Sequence, residues 1–347
     1  MTVCGGEPGS VALERIPEPE SRAGTLLAQV LAIGVCGTDR EIVAGAYGLP
    51  PAGEERLVLG HESLLRVIEA PADCGFGAGD LAVGIVRRPD PEPCASCASG
   101  EWDMCRNGRY TERGIKGRHG YGAERVRLDP RFAVAVPAGL GPCGVLAEPA
   151  SVVAKAWEQI DRVGARAAAW DPRTVLVTGA GPIGLLAALM GRQRGFQVHV
   201  FDRAEDGPKP ELVRDIGAIY HAPDIASLGS LAAEVVIECT GASSVVLDVL
   251  GRTAPLGIVC LTGVSSGSRA VRLDVAALNR EIVLENDVVL GTVNANRRHY
   301  EAAIRCLAAA DPAWLSRLLT RRVPLERWRE AFAPQPGDVK VTIEFGH

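Results

Sequence analysis

The chain is 347 residues long, enough for two sizeable cores, and its 47% apolar and 23% charged residues suit a globular enzyme. A net charge of −5 argues against a nucleic-acid partner, and no uninterrupted apolar run of about 18 residues marks a membrane span. The opening MTVCGGEPGS has neither the basic start nor the apolar stretch of a signal peptide, so a cytoplasmic protein with mostly reduced cysteines is expected.

Residues 1–150 are rich in glycine and proline, with short β-type runs between turn signals. Leu26–Ile33 and Leu81–Val86 read as strands, and the texture suggests a barrel-like or partly open β domain. Gly34-Val35-Cys36-Gly37-Thr38-Asp39 follows the first strand, and Gly60-His61-Glu62 comes later. A thiolate, an imidazole and a carboxylate are the donors of a borderline-soft divalent cation, above all Zn²⁺. Three protein ligands with one position open describe a catalytic rather than a structural site.

The texture changes near residue 150. Ser151–Ile160 reads as helix and Thr174–Thr178 as a buried strand. Gly179-Ala180-Gly181-Pro182-Ile183-Gly184 then forms a G-x-G-x-x-G turn before a helix that runs to about Arg194. In that setting Gly179 makes the tight turn, Gly181 admits a pyrophosphate, and Gly184 lets helix and strand pack closely. The next strand, Gln197–Phe201, ends at Asp202, placed to accept hydrogen bonds from the ribose hydroxyls of NAD; Arg203 beside it leaves NADP open. Val235–Glu238 and Gly257–Leu261 are further strands, and Thr240 and Thr262 just beyond them join Asn294 as candidate cofactor contacts. Strands alternating with helices imply a parallel sheet covered on both faces. Val339–Phe345 reads as a last strand that returns to the first domain.

Together with Leu146-Ala147-Glu148-Pro149, these motifs resemble the zinc-dependent medium-chain alcohol and polyol dehydrogenases over essentially the whole chain. The likeness is strongest to the glucose 1-dehydrogenase branch, through Thr111-Glu112-Arg113-Gly114-Ile115, His119-Gly120-Tyr121 and the long segment from Gly291 to Tyr300. The resemblance implies an α/β protein with a GroES-like β-rich catalytic domain, discontinuous over residues 1–152 and 295–347. A Rossmann domain with a doubly wound parallel sheet would occupy 153–294. It further implies zinc on Cys36 and His61, with Glu148 a further ligand and Glu62 either direct or bound through water. Zinc would polarise a substrate hydroxyl and hydride would pass to the nicotinamide. Thr38 would relay the hydroxyl proton, Glu112 would bind sugar hydroxyls, and Asn294 would bind substrate or nicotinamide. Relatives of this kind are commonly dimers or tetramers.

One departure stands out. Cys94, Cys97 and Cys105 resemble the lobe where many relatives bind a structural zinc with four cysteines, but this chain has three there. Asp103 is near enough in sequence to contribute an oxygen, but that donor would be unusual in a cysteine-rich structural site; without a fourth ligand the three are reduced thiols and the catalytic zinc is the only one, one per chain. The reading is therefore a zinc-dependent dehydrogenase acting at C1 of a glucose-like aldose to give the lactone. The same chemistry on a secondary alcohol of a polyol, cyclitol or amino-sugar intermediate is the alternative, and a non-catalytic nucleotide-binding protein the minor one.

Overall fold

The computed structural model describes residues 1–265 and 272–346, and the chain divides into two compact units. One comprises Met1–Ser151 and Asn294–His347, the other Val152–Val293.

The first unit is built on a seven-stranded sheet around β2 (Leu26–Val35), where Leu26, Ala28 and Val30 are buried and the residues between them less so. β2 pairs antiparallel with β4 (Glu62–Glu69), β9 (Arg125–Leu128) and β18 (Lys340–Glu344). Beyond β4 lie β5 (Leu81–Gly84) and β10 (Ala133–Val136), and β17 (Leu319–Pro324) runs parallel to β18. β1 (Thr2–Cys4) pairs with β3 (Arg56–Val58), and β6 (Arg87–Arg88), β7 (Thr111–Arg113) and β8 (Gly117–Arg118) form a third sheet. Leu26, Ile33, Leu65, Tyr121 and Ile343 share one core.

The strand expected over Leu81–Val86 stops at Gly84. An added Cβ there would lie 1.7 Å from the Tyr121 hydroxyl, and beyond it the Ile85 carbonyl accepts side-chain donors, Arg88 and Tyr121. Short helices α1 (Gly37–Val43) and α2 (Ala95–Ala98) punctuate this unit, and α3 (Ala147–Gly164) carries the chain onward.

The second unit is a six-stranded parallel sheet. Its order is β13 (Ile219–His221), β12 (Gln197–Phe201), β11 (Thr174–Thr178), β14 (Ala233–Glu238), β15 (Thr253–Leu261), β16 (Val288–Gly291). α4 (Pro182–Gln193), α5 (Pro208–Asp215), α6 (Ser243–Leu250) and α7 (Val275–Glu285) make the crossovers. The strand order reverses between β11 and β14, and the glycine turn leaves β11 at that switch point, where open α/β sheets bind ligands. No helix among the described residues is long and apolar enough to cross a membrane.

Candidate active site

Register brings the metal-type donors to one end of the large sheet. Cys36 follows β2, His61 precedes β4, Glu62 opens β4, and Gly34 stands opposite Glu62 on one side and Thr342 on the other. The ligand atoms of Cys36, His61 and Glu62 lie within 4.8 Å of one another. Gly34 makes the room, since a Cβ there would lie 1.9 Å from Glu62 Oε2. Gly60, at φ +89°, turns the chain into His61 as only glycine does readily.

Two further side chains complete the surroundings. Asp39 Oδ2 accepts the Cys36 backbone N–H at 2.9 Å, while Oδ1 lies 3.2 Å from His61 Nδ1, an ion-pair distance off the line of a hydrogen bond. Burial works against a charged His61, but the Asp39 carboxylate outweighs it and holds the imidazole pKa well above its usual range. A carboxylate beside one ring nitrogen, with the other free to ligate, is the common outer arrangement of a metal-binding histidine. Lys340, first in β18, donates to both Glu62 oxygens at 2.7 and 2.6 Å, and both side chains are buried. Burial disfavours the ammonium, yet the Glu62 charge raises its pKa overall. The sequence reading gives neither residue a role. Asp39 lies three residues after Cys36, a spacing that could have drawn attention; Lys340 is 278 residues from Glu62 and sends no local signal.

Glu148 stands in the first turn of α3, outside the triple of donors. Burial lifts its carboxyl to about 7, against the pull of His61 and with the push of Glu62. Thr38, half-buried on α1, makes no hydrogen bond through its hydroxyl to another described residue. The donor types, the space made by Gly34 and the Asp39 carboxylate behind the His61 ring fit a cation of zinc type.

Glu112 lies in β7 and is buried, not solvated in a loop. Its Oε1 accepts from Arg87 Nε (3.1 Å) and Nη2 (2.9 Å) and from Asn294 Nδ2 (2.6 Å). All three donors converge on one oxygen, and Oε2 has no protein partner among the described residues. Asn294 sits at φ +66°, and its own Oδ1 accepts the Ala295 N–H at 2.8 Å. Asparagine tolerates this left-handed backbone better than most residues, and such strain gathers at functional sites.

In the second unit Gly179 has φ +88°, and a Cβ at Gly184 would lie 1.7 Å from the Gly179 carbonyl oxygen. Beside Gly181, by contrast, an added Cβ meets nothing within 4 Å. Pro182 and Ile183 open α4. Asp202 accepts from the N–H groups of Ala180 (2.7 Å) and Ala204 (3.0 Å) and from Lys209 (3.2 Å). Burial would raise its pKa, but these donors lower it overall. Arg203 is exposed. Thr240 and Thr262 both attach to Glu238, a fully buried carboxylate that the sequence reading takes only as a strand residue. The Thr240 hydroxyl and the N–H groups of Thr240 (2.7 Å) and Gly241 (3.1 Å) donate to the Glu238 side chain, as does Thr178 (3.3 Å). The Thr262 hydroxyl donates to the Glu238 carbonyl at 2.7 Å. Glu238 thus ties together the ends of β11, β14 and β15.

Comparison with known proteins adds to this geometry. Residues 22–138 match the alcohol dehydrogenase GroES-like domain, and residues 141–345 match the glucose dehydrogenase C-terminus family. The chain belongs to the glucose 1-dehydrogenase branch of the zinc-dependent medium-chain dehydrogenases. It is 39% identical to the glucose 1-dehydrogenase of Methanocella arvoryzae, covering 98% of both chains. It is also 39% identical to that of Thermoproteus tenax, covering 99% of this chain and 98% of the relative. Among solved structures, Haloferax mediterranei glucose dehydrogenase in complex with NADP, Zn and gluconolactone superposes with a TM-score of 0.91 at 32% identity, covering 100% and 99% of the two chains. The α/β architecture of a GroES-like domain and a Rossmann sheet read from the sequence is the one observed.

In this family member, Cys94, Cys97 and Cys105 form a second three-donor group with sulfurs within 4.8 Å. The Arg106 N–H approaches the Cys94 sulfur at 3.4 Å and is the first cause that draws its pKa down to about 6, whereas burial pushes Cys97 up to about 11. Asp103 lies outside this group of donors. It is buried, and its Oδ1 accepts the Asn296 amide at 2.8 Å. Counting cysteines along the chain points to a single zinc, but the folded lobe gathers its three sulfurs all the same.

Proposed function

We propose that this protein oxidises C1 of glucose, or a close aldose, to the lactone with reduction of NAD(P), using zinc held by Cys36 and His61 with the carboxylates of Glu62 and Glu148. The observation that carries this reading is the convergence of Cys36, His61 and Glu62 in a chain whose full-length relatives are glucose 1-dehydrogenases. Zinc supplies a Lewis acid that lowers the pKa of a substrate hydroxyl, and the nicotinamide supplies the hydride acceptor.

The remaining work falls to the chain. Thr38, whose hydroxyl has no competing partner among the described residues, would take the proton from the reacting hydroxyl and pass it on to water. Glu112 accepts a sugar hydroxyl on Oε2 while Arg87 and Asn294 pin Oε1, so the acceptor is fixed before substrate arrives. Asp39 orients the His61 ring, and Lys340 neutralises Glu62. Gly179, Gly181, Pro182, Ile183 and Gly184 cradle the pyrophosphate, with Thr240 and Thr262 lining the same strand ends. Asp202 receives the ribose hydroxyls and favours NAD; exposed Arg203 accommodates NADP. A second, structural zinc on Cys94, Cys97 and Cys105 is supported by the clustering of their sulfurs.

The test is reduction of NAD and of NADP measured across aldoses, polyols and cyclitols, with metal analysis of the same sample. Turnover of glucose-type aldoses with bound zinc is expected; activity on polyols with none on aldoses would overturn the assignment. Asp202→Ser should move the NAD/NADP ratio of kcat/KM toward NADP, and an unchanged ratio would remove Asp202 from the ribose site.

A further inference from the structure

β6 and β7 give adjacent residues opposite surroundings. Arg87 and Glu112, paired in register, bond to each other, and Glu112 also accepts from Asn294, whereas the next residue along each strand, Arg88 and Arg113, lines a separate cavity of about 560 Å³. Cys36, His61, Glu62 and Glu148 do not line it, and all of its wall belongs to the first unit.

The charge on that wall is one-sided. Arg22, Arg88, Arg113, Arg118, Arg125 and Arg127 face Glu20 and Asp129. Arg125 is paired with Glu18 at 3.3 Å and Arg127 with Glu69 at 3.4 Å, while Asp129 is held by Arg131 at 2.6 Å. His119, also on the wall, is paired with Glu54 at 2.7 Å. Among the described residues, Arg22, Arg88, Arg113 and Arg118 have no carboxylate partner.

Two of these four are buried and two exposed. Arg88 and Arg113 are 7% and 9% exposed. Arg88 donates to the Ile85 carbonyl and lies over the Phe132 ring at 4.1 Å. Arg113 donates to the carbonyls of His119 (3.3 Å) and Arg127 (2.7 Å), and its buried Nε has no partner. Arg22 and Arg118 are exposed at the rim. Burial, and after it the charge of Arg113, presses the Arg88 pKa down to about 10 and lowers that of Arg118. Guanidiniums crowded this way gain from a polyvalent anion, and their planar forks match phosphate oxygens. Ile16 and Phe132 keep exposed apolar surface on the same wall, backed by the buried Val58, Val126 and Leu128.

We propose that this cavity binds a small organic phosphate, its phosphoryl group among Arg22, Arg88, Arg113 and Arg118 and its apolar body against Ile16 and Phe132. The geometry assigns a phosphate monoester rather than a bare anion, because cationic and apolar walls are both present.

The probe is phenyl phosphate, titrated calorimetrically into the full-length zinc-loaded protein with saturating NADP to fill the dinucleotide turn, at constant ionic strength. One saturable site is expected. It should be weakened at least about tenfold by the double variant Arg22→Gln/Arg118→Gln, whose changes lie at the exposed rim and whose fold is checked by circular dichroism. Inorganic phosphate should bind more weakly than phenyl phosphate, and phenol should not bind. Arg113→Lys, which keeps the charge but loses the fork, should weaken binding without abolishing it. The proposal falls if no saturable heat appears or if the rim variant binds as the parent does, which would place the ligand at the zinc instead. It also falls if inorganic phosphate matches phenyl phosphate. A rim variant that changes the molar mass by light scattering while the parent binds no phenyl phosphate would make these arginines a subunit contact, and would overturn it too.

Discussion

Cys36, His61 and Glu62 come from two chain segments and are enclosed by ionisable partners, Asp39 on the imidazole and Lys340 on the carboxylate. Cys94, Cys97 and Cys105 come from one short stretch, and the contact made by Cys94 is a backbone N–H. Both groups hold three donors within the same reach. In the first, both Glu62 oxygens are held by Lys340 and one His61 ring nitrogen faces Asp39, so the donors sit among charges of both signs. The second is gathered by local chain geometry, and the ion pairs of Arg109 with Asp90 and Glu92 stand beside it rather than on a donor of the group. On the function proposed above, the first group would exchange ligands during the reaction and the second would hold a loop.

The contrast can be broken at either end. Cys36→Ala should remove one zinc equivalent and cut kcat/KM on glucose by at least about 10³-fold, since the Lewis acid is lost with its thiolate; retained turnover would show that the triple is not the catalytic centre. Lys340→Met should cost the chelator-treated protein about 3–5 kcal/mol, because Glu62 is left as an unpaired buried charge. With zinc restored, the loss measured by urea midpoint should shrink, the cation now serving as the counter-charge. Equal losses in both forms would mean that Glu62 does not sense the metal.

Cys97→Ser should also remove one zinc equivalent but leave kcat within about twofold while thermal inactivation quickens. Zinc content equal to the parent's would leave the lobe metal-free. The smallest effect is a reactivity difference inside that lobe. In chelated protein the Cys94 thiolate grows as pH rises through about 6, so its alkylation by iodoacetamide should level off near neutral pH. Cys97, with its pKa at about 11, should stay largely unmodified over the same range. Equal labelling of the two by mass spectrometry would contradict the environments described.

The sequence was most legible where local pattern decides structure. Thr174–Thr178 and Gln197–Phe201 are strands over the expected residues, because strands buried on both faces are continuous apolar runs. β15 begins four residues before the expected Gly257, since Thr253 continues the ladder with β14 despite a proline and a positive φ at Leu256. Within the site, Cys36 and His61-Glu62 could be named from glycine-flanked motifs. Lys340, Arg87 and Glu238 could not, because what they do depends on partners that only the folded chain brings near. Asp103, close to the three cysteines in sequence but an unusual donor beside them, gives one carboxylate oxygen to the Asn296 amide in the fold.

Gly34 has no side chain to offer, yet excluded volume at that one place chooses the donor set. Any Cβ would evict the Glu62 carboxylate from beside Cys36, and Lys340 would then stand buried without its counter-ion. Positions 34, 62 and 340 are thus bound to drift together or to stay still, and a branch of relatives with alanine at the first should be found with a different pair at the other two.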